Sequence, residues 1–323
     1  MRKIMILFVL VIGAAVTAAQ AQVQMTFASA YAPDDHQTMA MDEFARLAQE
    51  YTGGEIVINV APGGVLGGER DVAEGIQIGT VDGAILGGIL QNFDPAMAIL
   101  EFPFLFRNAE HVNAVMQGEV GEQIYQRLVE QTGIRALGYV MRTPRQLTTL
   151  EPVESLEDVR GMQVRVPEMQ AHLETWRALG VNPTPIAFTE VYNALQQGVV
   201  DGQENPIGVI YANAFGEVVN YMAWTDHLVG FMLITISNDR FQQLTPDQQE
   251  ALVRAADDAR LYNDQLLEEL NAEWVELLGQ QVTYTEPDMG PWREAVADVP
   301  QGFYQYEGFQ ELYEGIVEVG EDF

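Results

Sequence analysis

Arginine is the informative residue type in this chain, because cations are scarce: 16 Lys and Arg stand against 47 Asp and Glu. Arg165 lies in the stretch GMQVRVPE, residues 161–168. Alternation puts Met162, Val164 and Val166 on one face of a strand and Arg165 on the other, with Pro167 ending the strand. In a parallel α/β sheet, strand ends that enter βα loops face the ligand crevice. A guanidinium aimed there presents a planar fork of donors suited to a carboxylate. The plainer role is a structural ion pair with one of the many acids. Arg142 and Arg145, in MRTPRQLTT, follow another strand. Glu204 and Asn205, in QENP, follow a short apolar strand and read as a βα loop facing the same crevice. Phe188 precedes the TEVYNAL helix, either as an apolar wall of a site or as a core aromatic.

Covalent and metal chemistry find no comparable footing. The chain has no cysteine, which excludes thiolate catalysis and Cys-ligated metals. His36, His111, His172 and His227 show no metal-ligand spacing. Ser29, Ser155 and Ser237 lie outside any G-x-S-x-G elbow. There is no Walker loop, GGVLGGER is not G-x-G-x-x-G, and no acidic loop matches an EF-hand. Carboxylate pairs are so frequent that none singles out acid–base work. An enzyme acting on organic acids would need Arg165 as anchor and a general base in the cleft, His36 or a tuned carboxylate. No cofactor or metal is expected.

The elements that must position these residues alternate. MTFASAY reads as a strand, and Met39, Phe44, Leu47 and Ala48 keep helical spacing before Gly53-Gly54. EIVINVAPG, IRALGYVMR, MQVRVP and VVDGQE read as further strands separated by helices, which indicates an α/β fold with parallel strands. One unit is written twice. Glu69–Ile85 laid over Phe188–Glu204 matches at Val72/Val191, Gln77/Gln196, Gly79/Gly198, Val81/Val200, Asp82/Asp201 and Gly83/Gly202. Gly after a helix and Asp-Gly at a strand end are common turn chemistry, so chance is the alternative to two equivalent lobes with a cleft between them. Thr245-Pro246-Asp247-Gln248 starts a helix whose spacing holds from Leu252 to Gly279, about 50 Å. A spine lying across both lobes fits this length better than a coiled coil.

Arg2 and Lys3, the apolar run Ile4–Ala19 and the small-x-small site Ala19-Gln20-Ala21 read as a signal peptide removed after Ala21. The formal charge is -31, and loss of Arg2 and Lys3 makes it -33, with no lysine remaining. Nucleic-acid binding, which needs a basic surface, is excluded. The acidity is read as adaptation to a salty medium, where self-repulsion is screened, in preference to a cation-binding surface.

Gly161–Pro206, with its R-V-P, A-L-G-x-x-P-x-P, E-V-Y-x-A-L-Q and V-D-G-x-E-N-P motifs, closely resembles the signature region of DctP-type solute-binding proteins. These are the exported receptors of TRAP (tripartite ATP-independent periplasmic) transporters. The likeness extends through GGVLGGERDVAEGIQIGTVDGA and EFPFLFRNAEHV to nearly the whole mature chain. It implies a two-lobed, periplasmic-binding-protein-like α/β fold that closes on an organic acid, with a long helix spanning both lobes. The lobes are expected at 22–142 with 231–270, and at 143–230 with 271–323. By resemblance Arg165 clamps the ligand carboxylate, Arg145 supports or contacts the ligand, and Asn205 touches it, with Glu204 beside it expected among the ligand-binding residues. Phe188 lines the pocket, Glu69 contributes from the first lobe, and Glu168 helps to select the ligand. A carboxylate at 168 favours hydroxyl or amine groups over a second acid, which points to a sugar acid such as a uronate. The alternatives are a C4-dicarboxylate, a subunit presenting ligand to a sensor, or an exported enzyme. The resemblance further implies a periplasmic protein that hands its ligand to integral-membrane subunits; a monomer is expected.

Overall fold

Two mixed sheets, one in each lobe, carry the chain. The computed structural model describes residues 22–323, so the expected signal peptide, 1–21, lies outside the described residues. The first sheet uses β1 (Val23–Ala28), β2 (Ile56–Ala61), β3 (Gly83–Leu86), β4 (Ile134–Met141) and β10 (Phe231–Ser237), in the order β2-β1-β3-β10-β4. The second uses β5 (Arg145–Thr149), β6 (Gln163–Val166), β7 (Asn182–Pro185), β8 (Gly202–Pro206), β9 (Tyr221–Ala223) and β11 (Thr283–Thr285), in the order β11-β9-β5-β8-β6-β7. Read from opposite ends, β2-β1-β3-β10-β4 and β7-β6-β8-β5-β9 have the same polarity. The first three strands of each run are parallel, and the fourth is antiparallel to both its neighbours. Beside the parallel members that the alternating strands and helices predict, β10 and β5 run antiparallel. β10, FMLITIS, is buried along six of its seven residues, as a central strand covered on both faces must be.

The duplicated unit occupies the same place in each lobe. Helix Glu69–Ile78 leads through Gly79 to β3, and Phe188–Gln196 leads through Gly198 to β8. Both glycines are left-handed, with φ of 77° and 65°, a conformation that costs a side-chain-bearing residue about 1–2 kcal/mol. Asp82 and Asp201 then do the same work. Each carboxylate accepts a backbone N–H from the neighbouring parallel strand, Thr26 or Gln163, at 2.8 Å. Each backbone N–H returns a bond to the carbonyl of that same residue, at 3.1 Å and 2.7 Å. This two-way tie starts the parallel pairing, so the repeated Asp-Gly specifies a junction rather than a generic turn.

Met25, Phe27 and Phe44 form one layer of the first-lobe core, and Val112, Ile124 and Leu128 belong to the other. Leu147, Val164 and Trp176 fill one side of the second lobe, Ile210, Phe215 and Met222 the other. Helix Pro246–Gly279 lies across both lobes. Its Leu252, Ala255, Ala256 and Ala259 pack in the first-lobe core, whereas Trp274 and Leu278 pack in the second. Thr245 caps it, accepting from Gln248 N–H at 3.3 Å, and Pro246 fills the position whose N–H needs no partner.

The C-terminal segment departs from the expected division. Residues 271–323 were expected in the second lobe, but Phe303, Phe309, Leu312 and Ile316 pack in the first-lobe core with Phe102, Val112 and Ile124. The amphipathic face of helix Phe309–Val319 finds its apolar partners there. Among the described residues no helix is long and apolar enough to cross a membrane.

Candidate ligand-binding site

Segments from both lobes converge on a cavity that is partly open to solvent. Tyr31 follows β1, Ile89 follows β3, and Pro167, Glu168 and Met169 follow β6. Arg142 and Arg145 lie where the chain passes from β4 into β5, at the crossing between lobes. Tyr31 packs against Phe188 across the cleft, with ring centroids 4.8 Å apart and the rings tilted by 50°. Gln91 accepts from Ala171 N–H, and Asn92 Nδ2 donates to the Glu168 carbonyl, both at 3.0 Å.

Three buried arginines reach this cavity, and their partners differ. Arg145 donates through Nε and Nη2 to the Glu204 carboxylate, the Nη2–Oε1 distance being 2.8 Å. Arg142 forms an ion pair with Glu101, whose other oxygen accepts from Gly88 N–H at 3.2 Å. Arg165 is 2% exposed and donates only through Nε, to the Ile186 carbonyl at 2.9 Å. Among the described residues no carboxylate pairs with it. Its terminal nitrogens are therefore left for something in the cavity. Burial lowers its pKa to about 10, against the opposing pull of Glu204, so it remains a cation at neutral pH in a poorly hydrated place. An anion gains most beside such a group.

The alternation of β6 accounts for this placement. Val164 and Val166 are fully buried in the second-lobe core, and Arg165 points the other way. The same alternation separates Glu204 from Asn205. QENP is not a loop; its residues belong to β8, where Asn205 pairs with Gln146 and Glu204 with Leu147. Asn205 lines the cavity and donates to Gln203 Oε1 at 2.6 Å. Glu204 faces the opposite side, fully buried, where His172 Nδ1 at 3.2 Å and His227 Nε2 at 2.9 Å join Arg145 around it. It does not line the cavity. Its expected role as a ligand contact gives way to that of a positioning residue behind Arg145. Burial pushes its pKa up, but Arg145 and then His172 outweigh this and hold it well below the usual carboxylate range.

Arg165, Arg145, Asn205, Phe188, Glu69 and Glu168 all line the cavity. Glu69, the first residue of its helix, accepts from Tyr31 Oη at 2.6 Å, and burial raises its pKa. Sequence reasoning missed Tyr31 and Glu101. Tyr31 stands four residues after Phe27 as Glu168 stands four after Val164, and Phe27 and Val164 hold equivalent register positions beside Gly83 and Gly202. Glu101, inside LEFPFLF, reads as an interruption of a core segment. His36, a candidate base, is buried outside the cavity, its Nδ1 2.8 Å from Asn263 Oδ1. His172, buried neutral at a pKa of about 4 by desolvation, bonds Glu204 instead.

Comparisons with known proteins identify the family. The family model for bacterial extracellular solute-binding protein, family 7 (DctP), matches residues 27–307. A solute-binding protein of Roseobacter denitrificans is 38% identical over 263 residues, 80% of each chain. The crystal structure of a Roseobacter denitrificans TRAP periplasmic solute-binding protein with bound L-galactonate superposes at a TM-score of 0.88, with 34% identity over 93% of this chain and all of the other. The 2,3-diketo-L-gulonate-binding periplasmic protein of Escherichia coli is 30% identical over 312 residues, 92% of this chain and 94% of its own. A Sulfitobacter TRAP solute-binding protein with bound β-D-galacturonate gives a TM-score of 0.86 at 29% identity, covering 93% of this chain and 100% of its own. The chain belongs to the DctP family of bacterial extracellular solute-binding proteins, the receptors of TRAP transporters.

Proposed function

We propose that this protein captures a sugar acid in the periplasm and delivers it to the membrane subunits of a TRAP transporter. The observation that carries the reading is Arg165: a buried cation lining the cleft that has no carboxylate partner among the described residues, in a chain with 47 acids. The ligand carboxylate completes the ion pair, Arg145 extends the positive field, and Asn205 supplies an amide for a hydroxyl. Glu69 and Glu168 accept hydroxyl donors, which suits a polyhydroxylated chain better than a C4-dicarboxylate. Two relatives of the same shape hold L-galactonate and β-D-galacturonate. The proposed chain of events is docking on the open second lobe, closure at the 141–145 crossing, and expulsion of water that strengthens the charge-assisted bonds. The mature protein, beginning at Gln22, acts as a monomer, and no covalent step is required of it.

Calorimetric titration tests this. L-galactonate or galacturonate is expected to bind the mature protein, and at 100 times its Kd to add about 2.7 kcal/mol of thermal stability. Arg165→Ala should weaken binding by about 2–5 kcal/mol, the usual cost of removing one partner of a buried charged pair. Binding that survives this change, or preference for a C4-dicarboxylate, overturns the assignment.

A further inference from the structure

We propose that the Glu101–Arg142 pair makes this site selective for acids with one carboxylate, rejecting diacids of the same carbon chain. The inference rests on the sugar-acid reading and narrows it. The other two buried arginines at the cavity are already matched by carboxylates: Arg145 is held by Glu204, and Arg142 by Glu101, which also stands 3.9 Å from Arg145 Nη1. Arg165 has none among the described residues, so it is the one arginine of the cavity whose fork is left for a ligand carboxylate.

A second ligand carboxylate would need a second cation. Arg142 lines the cavity, but Glu101 already holds it. Glu101 cannot easily swing aside. Its second oxygen accepts from Gly88 N–H at 3.2 Å, and the Gly88 backbone packs so closely that a Cβ there would lie 2.7 Å from the Glu101 Cβ. Arg142 Nη2 and Glu101 Oε1 meet as an ion pair without completing a hydrogen bond, and Arg142 Nε has no acceptor at all among the described residues. That N–H can serve a ligand hydroxyl or carbonyl oxygen. A carboxylate at the same place would meet Glu101 in a water-poor site, where like charges are expensive to hold together. Glu69 and Glu168 add to the repulsion. The pair thus reads a neutral polar end and refuses a charged one.

L-galactonate and galactarate share one carbon chain and differ at one end, a hydroxymethyl group against a carboxylate. Calorimetry on the wild-type protein is expected to show L-galactonate binding at least tenfold tighter. Glu101→Gln should shift the ratio toward galactarate by at least tenfold, because Arg142 is released. The double change Glu101→Gln with Arg142→Gln removes the pair as a unit and should not show this gain. Wild type binding the two acids equally, or the double variant gaining galactarate as the single one does, overturns the inference while leaving the receptor reading intact. If Glu101→Gln does not fold, the wild-type ratio and the double variant still decide. Binding of neither acid overturns both.

Discussion

Burial withholds protons from His36, His111 and His172, and that gives the protein's stability a direction with pH. His172 is held at a pKa of about 4 by desolvation, and burial lowers His36 and His111 as well. In the unfolded chain a histidine titrates near 6.5. Above that value both states are neutral and nothing is gained or lost. Below it the unfolded chain binds protons that the native state refuses, so stability falls until the pH reaches the folded value. Glu204 does not offset this between pH 7 and 5. Its depressed pKa contributes stability above the usual carboxylate range and loses it only on further acidification. Chemical denaturation at pH 7 and pH 5 should therefore differ by about 2 kcal/mol from His172 alone. Equal stability at the two values would mean that His172 accepts its proton inside the folded protein, with Glu204 as the stabilising anion.

At the scale of elements, the junctions at Asp82 and Asp201 should have similar energetic weight. Each carboxylate holds the first backbone N–H of a parallel strand pair. Replacing Asp82 or Asp201 by Ala leaves that donor without its partner and should cost about 1–3 kcal/mol in either lobe. A denaturation midpoint unmoved by one change and strongly moved by the other would show that the two junctions are not equivalent. Such junctions were the most legible part of the sequence, because an ungapped match of helix, glycine, strand and aspartate survives in the residue types themselves. Arg165 was legible because strand alternation requires only three apolar neighbours to define a face. The antiparallel strands were not, since pairing direction leaves no local mark: β10 reads as an apolar run whichever way it lies. Glu204 was misplaced because a strand that starts one residue after Asp201 carries QENP inside it, and a shift of that size turns neighbouring side chains to opposite faces. Tyr31 escaped because the spacer between equivalent strands differs in length, so the offset that reveals the repeat does not extend back to β1.

Over the whole molecule, the charge of -31 is the dominant long-range term. Most surface ion pairs, such as Arg46 with Glu43 and Glu50, join neighbours on one helix and contribute little individually. Self-repulsion among the remaining carboxylates extends about 10 Å at 0.1 M salt and about 3 Å at 1 M. Thermal stability should therefore rise as sodium chloride increases over that range. A fall would mean that the local pairs, rather than the net field, decide the balance.

The return of the C-terminal segment to the first lobe has a practical corollary. The chain crosses between lobes after β4, after β9, within helix Pro246–Gly279 and again between Trp292 and Phe303. Four crossings leave Val23, in β1, and Phe323, stacked on His111, attached to the same rigid half. Fluorophores fused at the two ends would ride together and stay silent as the cleft shuts, whereas a dye in the second lobe paired with either end would report each capture event.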